Sequence, residues 1–355
     1  MTTAVDWELA ERVAIRWSGR EPFSESYHSD RLVSDFAEAS EIAEPLVAET
    51  TGLTSAGPAR AEVISREDWI RVNIRSFQRL LAPLTDKLGD QLGASRMAPV
   101  ARRVAGLEVG VVLGWMSQRV LGQYDLLVVD DDDAEGDVVY YVGPNVLALE
   151  KRWGFPPGEF RLWLALHELT HRAQFTGVPW MRDHFLSMVH GLLDEVDTDP
   201  DQFATTLKRI VEDRRSAKDK VAEGGLGAMF ASDEQREVMD RIAGMMSLLE
   251  GHGDVTMTRA GGDLIPSSDR FHRVLHERRK QTNRRSKLIQ RLIGLEAKLA
   301  QYEQGERFIE AVEAVGGPRV IDLAWQSPDS LPTISEIREP DLWIDRMGLV
   351  QAAAS

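Results

Sequence analysis

The chain contains no cysteine. Disulfides and thiolate-ligated zinc or iron–sulfur centres are therefore excluded, and any bound metal must rely on histidine, aspartate or glutamate. The same absence fits a reducing compartment, so the expected location is the cytoplasm. No apolar run is long enough to cross a bilayer. The most apolar stretch, Val104–Met116, is short, is interrupted by Glu108, and reads as a buried helix. The first residues carry Asp6, Glu8, Glu11 and Arg12 where a signal peptide needs an apolar segment. Basic residues are in short supply: 42 Lys and Arg face 57 Asp and Glu, a net charge of −15. That balance argues against nucleic acid as a partner, because a phosphate backbone rewards the opposite sign. No internal repeat stands out.

What is present reads as a globular chain of 355 residues, 43% hydrophobic and 28% charged, long enough to bury a large core unaided. The pattern is predominantly helical, an α+β chain with one small hairpin or sheet. Helices are expected at 5–20, in short pieces between 29 and 50, from Ser65 through Leu81, again to about Leu92, and over 98–121. Gly106, Gly110 and Gly114 recur every fourth residue and permit a close helix–helix approach. Two short β-branched and aromatic runs follow, Asp125–Asp130 and Asp137–Val142, around an acidic turn at 131–136. That turn lacks the spaced ligands of a calcium loop and reads as a solvated tip.

Pro156 and Pro157 open the next helix, which should stop at Gly177. Further helices are expected at 180–196, 200–222, 233–250, 268–294 and 296–315, with a turn-rich tail from Ser327. The organisation expected is a helical region over 1–122 and a site-bearing region over 123–355, or one continuous domain.

Within the helix that ends at Gly177 stands His167-Glu168-Leu169-Thr170-His171. Histidines four apart share a helix face, so both rings can reach one metal, and Glu168 projects beside that face where it can accept a proton from water. Chance would place such a pattern in about one chain in a hundred of this size. The flank Leu162–Leu166 is apolar, as in a helix packed in a core. Burying two histidines and a glutamate there without a strong partner is expensive, and that favours a metal over histidines bonded to carbonyls.

A catalytic zinc takes three protein ligands and keeps one position open. The segment Ser247-Leu-Leu-Glu-Gly-His252 supplies candidates for the third. Glu250 ends a helical pattern. His252 is a rival that points away from Glu250 if the helix is regular, and Asp254 lies one turn further on.

The pair Glu250 and Asp254 resembles the Glu-x-x-x-Asp arrangement of gluzincin metallopeptidases. That resemblance implies Glu250 as a zinc ligand and Asp254 as the group behind a ligating histidine. The long gap from His171 to Glu250 departs from ordinary gluzincin spacing. The wider set comprises Leu164–Phe175, Ser247–His252, Lys298–Phe308 and Ser327–Thr333. It resembles a family of actinobacterial and chloroflexal zincin-like proteins described as candidate hydrolases, some labelled as associated with coenzyme F420 biosynthesis. The resemblance covers most of the chain from Trp7 and implies a mostly helical zincin-like fold with a Zn2+ site, without fixing a substrate.

The expected chemistry is hydrolysis of a peptide or a small amide, with Glu168 as general base. Tyr302, His272 and Arg172 are candidate donors to the transition state, each with a plainer role as core aromatic or surface charge. The strand Val138–Val142 is a candidate for aligning an extended substrate by β-addition. A basic stretch from Arg270 to Arg291 either receives an anionic partner or is a solvated face paired with the chain's own carboxylates. A non-peptide amide hydrolase and a zincin-like scaffold without turnover are the alternatives, and the intact Glu168 weighs against the scaffold. Long amphipathic helices make a homodimer an expectation, and no membrane partner is expected.

Overall fold

A computed structural model describes residues 4–23, 26–55, 57–85, 98–126, 137–194, 233–280 and 295–349. The chain divides into two compact units, residues 1–177 with 256–272, and residues 178–255 with 273–355. Among the described residues helices dominate, and three short strands form a sheet. Among the described residues, no helix is long and apolar enough to cross a membrane.

The first unit starts with α1 (Trp7–Ser18), whose cap Asp6 accepts from the Leu9 N–H at 3.0 Å. It packs on α4 (Ala98–Ser117), the helix with the glycine repeat. The expected close approach is present. A β-carbon on Gly110 would stand 2.6 Å from the Ala10 carbonyl oxygen, and one on Gly114 2.6 Å from that of Ala14. Between them in sequence lie α2 (Tyr27–Thr51), β1 (Arg60–Ile64) and α3 (Arg66–Leu80). Ser65 caps α3, accepting from the Asp68 N–H at 3.0 Å. Ala14 of α1, Trp69, Ile70 and Ile74 of α3, Leu113 of α4 and the more distant Val142 form a shared core.

Three features differ from the sequence expectation. α2 is one helix of 25 residues, not a set of short pieces, and it passes through Pro45. Its apolar face buries Phe36, Ala39, Ala43 and Val47, and it packs along α6 (Pro157–Gly177). Burial of that face outweighs the cost of about 3 kcal/mol for an internal proline. β1 and a short helix, α5 (Gly143–Trp153), were not expected from the pattern. α5 carries Pro144 in its first turn and closes on Gly154 at φ 59°.

The sheet order is β1-β3-β2, with β2 (Gly122–Tyr124) and β3 (Val138–Val142) antiparallel, β1 and β3 parallel. The hairpin expectation holds in direction, but its first strand lies three residues earlier than Asp125. The acidic turn at 131–136 lies outside the described residues, as do the expected helix at 200–222 and the continuation to Leu92. Val138–Val142 is the central strand. Its backbone groups are paired on both sides, so it cannot accept a substrate strand, and that expectation is corrected.

The second unit contains α7 (Met181–Asp194) and the long α8 (Asp233–Gly261) as far as Val255. α8 does not end near Glu250 as the pattern suggested. It continues through Gly251 because that glycine meets Gly305 of α10 (Leu295–Gly316) backbone to backbone. A β-carbon on Gly251 would lie 2.3 Å from the Gly305 carbonyl carbon. The tail folds as 3-10 turns at Val320–Trp325 and Pro328–Ser330, then α11 (Ile334–Arg338) and α12 (Pro340–Arg346). Phe308 packs edge-on against Trp343 at 5.5 Å, and the Trp343 indole donates to the Ser330 carbonyl at 2.9 Å. Thr333 and Glu336 form a reciprocal cap, and the Arg346 guanidinium donates to Glu336 at 2.6 Å. The helix α9 (Ser268–Lys280) follows α8, and the rest of the basic stretch, 281–294, lies outside the described residues.

Candidate metal centre

The histidine motif occupies the middle of α6, a helix buried nearly all round: Phe160, Trp163, Leu164, Ala165, Leu166, Leu169 and Ala173 are all in the core. A helix apolar on every face belongs inside a protein, so polar residues on it must be satisfied there. Two arginines show how. Arg161 donates twice to Glu150 of α5, at 2.8 and 2.9 Å, and also pairs with Asp35 of α2. Arg172 is 1% exposed and donates to both oxygens of Asp137 at 2.9 Å, to Glu44 at 2.6 Å and to the Gly57 carbonyl at 2.9 Å. These bonds tie α6 to α2 and to the start of β3. Arg172 is thus committed to the framework, which removes the motive for reading it as a donor to a transition state.

His167 and His171 are both half-buried. Their rings stand nearly perpendicular with centroids 4.6 Å apart, and their Nε2 atoms face each other at 3.2 Å. Two nitrogens on a tetrahedral zinc with bonds of 2.0–2.1 Å would be about 3.3–3.4 Å apart. The observed spacing therefore needs almost no adjustment. Glu250 of α8 completes a group in which one ligand atom from each of His167, His171 and Glu250 lies within 4.8 Å of the others. Two imidazoles and a carboxylate are a donor set that suits zinc and leaves a coordination position for water or substrate.

The Glu168 side chain is buried at 6% exposure. It lies against the backbone of β2: a β-carbon on Gly122 would stand 2.6 Å from Glu168 Oε1 and 2.7 Å from its Cγ. Glycine alone permits this contact. Opposite Gly122 in the antiparallel register is Tyr141. Burial pushes the Tyr141 phenol up from its usual range. The Ser40 hydroxyl, 3.5 Å away, opposes that rise, and the Glu168 charge adds to it.

The other candidates are placed as follows. Asp254 stands one turn beyond Glu250 on α8. His252 is 5% exposed, with its ring edge-on to Trp325 at 5.2 Å, in an aromatic setting. His272 packs edge-on against Trp163 at 5.2 Å, and Trp163 is one turn before His167 on α6. Its neighbours Phe155, Phe160 and Phe271 make that corner an aromatic cluster. Tyr302 belongs to α10, and its side chain lies outside the described residues. Arg270, first of the basic stretch, donates to the Gly154 carbonyl at 3.3 Å and to that of Trp153, and it stands over the Phe155 ring. It is engaged in fixing the start of α9.

Sequence reasoning missed two residues here. Gly122 carried no local signal, because its role depends on a contact far along the chain. Gln174 did carry one: it is three residues after His171, on the same helix face.

A family model described as zincin-like metallopeptidase matches residues 5–344. Among solved structures, a candidate hydrolase with a novel fold from Chloroflexus aurantiacus is similar, with 31% identity and a TM-score of 0.70. The match covers 97% of this chain and 99% of that one. None of the curated proteins matches.

Proposed function

Because the chain belongs to the zincin-like metallopeptidase family, we propose that it is a zinc-dependent hydrolase of peptide or related amide bonds, with His167, His171 and Glu250 as the metal ligands. The observation that carries this reading is the convergence of those three donors, with the histidine Nε2 atoms 3.2 Å apart beside a buried Glu168. Bound there, zinc would act as a Lewis acid toward a carbonyl and make water more acidic.

Glu168 is the general base: it takes the proton of the attacking water and delivers it to the leaving nitrogen. Its pressure against β2 fixes where that carboxylate stands. Asp254, one turn past Glu250, is assigned to hold a ligating histidine from behind. β2 replaces β3 as the strand that aligns substrate. Among the described residues it pairs on one side only, and it is the strand in contact with the Glu168 carboxylate. His272 and Tyr302 stay as candidates for stabilising the oxyanion, and the basic stretch for receiving an anionic partner. The proposed location is the cytoplasm.

The test is a cleavage screen with a peptide library and a panel of small amides, run on the wild-type protein and on Glu168→Gln. The wild type is expected to cleave one of the two classes. Glu168→Gln should keep its metal and lose turnover by about 10²–10⁴-fold. Cleavage that survives in Glu168→Gln at the wild-type rate contradicts the assignment of the base. A zinc-loaded wild type that cuts neither class supports the scaffold alternative.

A further inference from the structure

Gln174 is fully buried on α6, and its side-chain oxygen lies 2.9 Å from Nδ1 of His171. The other nitrogen of that ring, Nε2, is the one directed toward His167 at 3.2 Å. A neutral imidazole carries one proton, and the bond made by one nitrogen decides the state of the other. A carbonyl oxygen can only accept, so the proton at this contact belongs on Nδ1. Nε2 is left with a lone pair, the form a metal requires. An amide nitrogen in the same place would donate to Nδ1 and leave the proton on Nε2, where it blocks coordination.

We propose that Gln174 is a positioning residue for the metal centre, holding His171 in the Nδ1–H tautomer and fixing the angle of its ring. The proposal rests on the assignment of His171 as a ligand, and it reaches that ligand from its own helix. The spacing explains the geometry, since residues three apart on a helix are neighbours on one face. It also gives a role to an amide buried on the same helix as Leu166, Leu169 and Ala173.

Two measurements on the full chain test this. In the zinc-free protein with 15N-labelled histidine, long-range proton–nitrogen correlation spectra report which ring nitrogen of His171 carries the proton. The wild type is expected to show Nδ1–H, and Gln174→Leu, of similar volume, to shift toward Nε2–H with helicity unchanged. Zinc affinity, read by competition with a chromogenic chelator, is expected to fall about 10–100-fold in Gln174→Leu. Gln174→Glu keeps an acceptor oxygen, and a stronger one, so it should restore wild-type affinity or exceed it.

The proposal is overturned by an Nε2–H tautomer in the wild type, by undiminished zinc affinity in Gln174→Leu, or by a Gln174→Glu variant as weak as Gln174→Leu. The last result would mean that an acceptor oxygen at this place is not what holds the His171 ring. A wild-type protein that takes no zinc overturns the metal reading itself, and the tautomer seen in the zinc-free spectra then decides the role of Gln174 separately.

Discussion

At Gly122 the strand backbone lies against the carboxylate of Glu168 with no space for a side chain. The consequence is specific. Gly122→Ala would put a carbon 2.6 Å from Glu168 Oε1, so the carboxylate must move. Displacing a reacting group by about 1 Å can cost on the order of 10²-fold in rate. The expected outcome for Gly122→Ala is zinc content equal to wild type with turnover reduced by about that factor, read on the substrate found in the cleavage screen. Undiminished turnover would show that the carboxylate tolerates displacement. At this scale the sequence was most informative where chemistry is local. His167, Glu168 and His171 are legible because four-residue spacing on one helix puts two rings side by side. Gly122 was not legible, because nothing near it in sequence indicates the glutamate it must accommodate. Arg172 read as an available cation, and its bonds to Asp137, Glu44 and Gly57 could not be foreseen from spacing alone.

Among the elements, α8 carries Glu250 and runs on through Gly251, where the pattern suggests an end. Gly251 would ordinarily cost a helix interior up to about 1 kcal/mol relative to alanine. Here it lets α10 approach until Gly305 touches it. A local pattern cannot separate a capping glycine from a crossing glycine, and only the partner helix decides. The stripe of Gly106, Gly110 and Gly114 was legible for the opposite reason, since three repeats at one spacing mark a face. Pro45 shows the same limit: read alone a proline breaks a helix, yet α2 runs through it because its buried face packs on α6. The expected result for Gly251→Leu is a loss of about 2–3 kcal/mol in stability from overpacking at the crossing, measured by urea unfolding. A variant as stable as wild type would show that the two helices can separate without cost.

For the whole molecule, composition set limits that the structure is consistent with. The absence of cysteine restricts metal ligands to histidine and carboxylates, and the donor group found has two histidines and a glutamate. The helical fold class was legible from periodicity. β1 and α5 were not, because five residues of mixed polarity and a helix of three turns are too short to declare themselves. The match over residues 5–344 assigns the family, and the identity of the substrate rests on the cleavage screen.

The central claim is that His167, His171 and Glu250 hold one zinc ion. Metal content per chain, measured on zinc-loaded and extensively dialysed protein, tests it most directly when His171→Ala is run beside the wild type. The account predicts about one zinc per wild-type chain and essentially none in His171→Ala, because two ligands of an open site do not retain the metal. A wild type without zinc, or a His171→Ala variant that keeps it, would contradict the account.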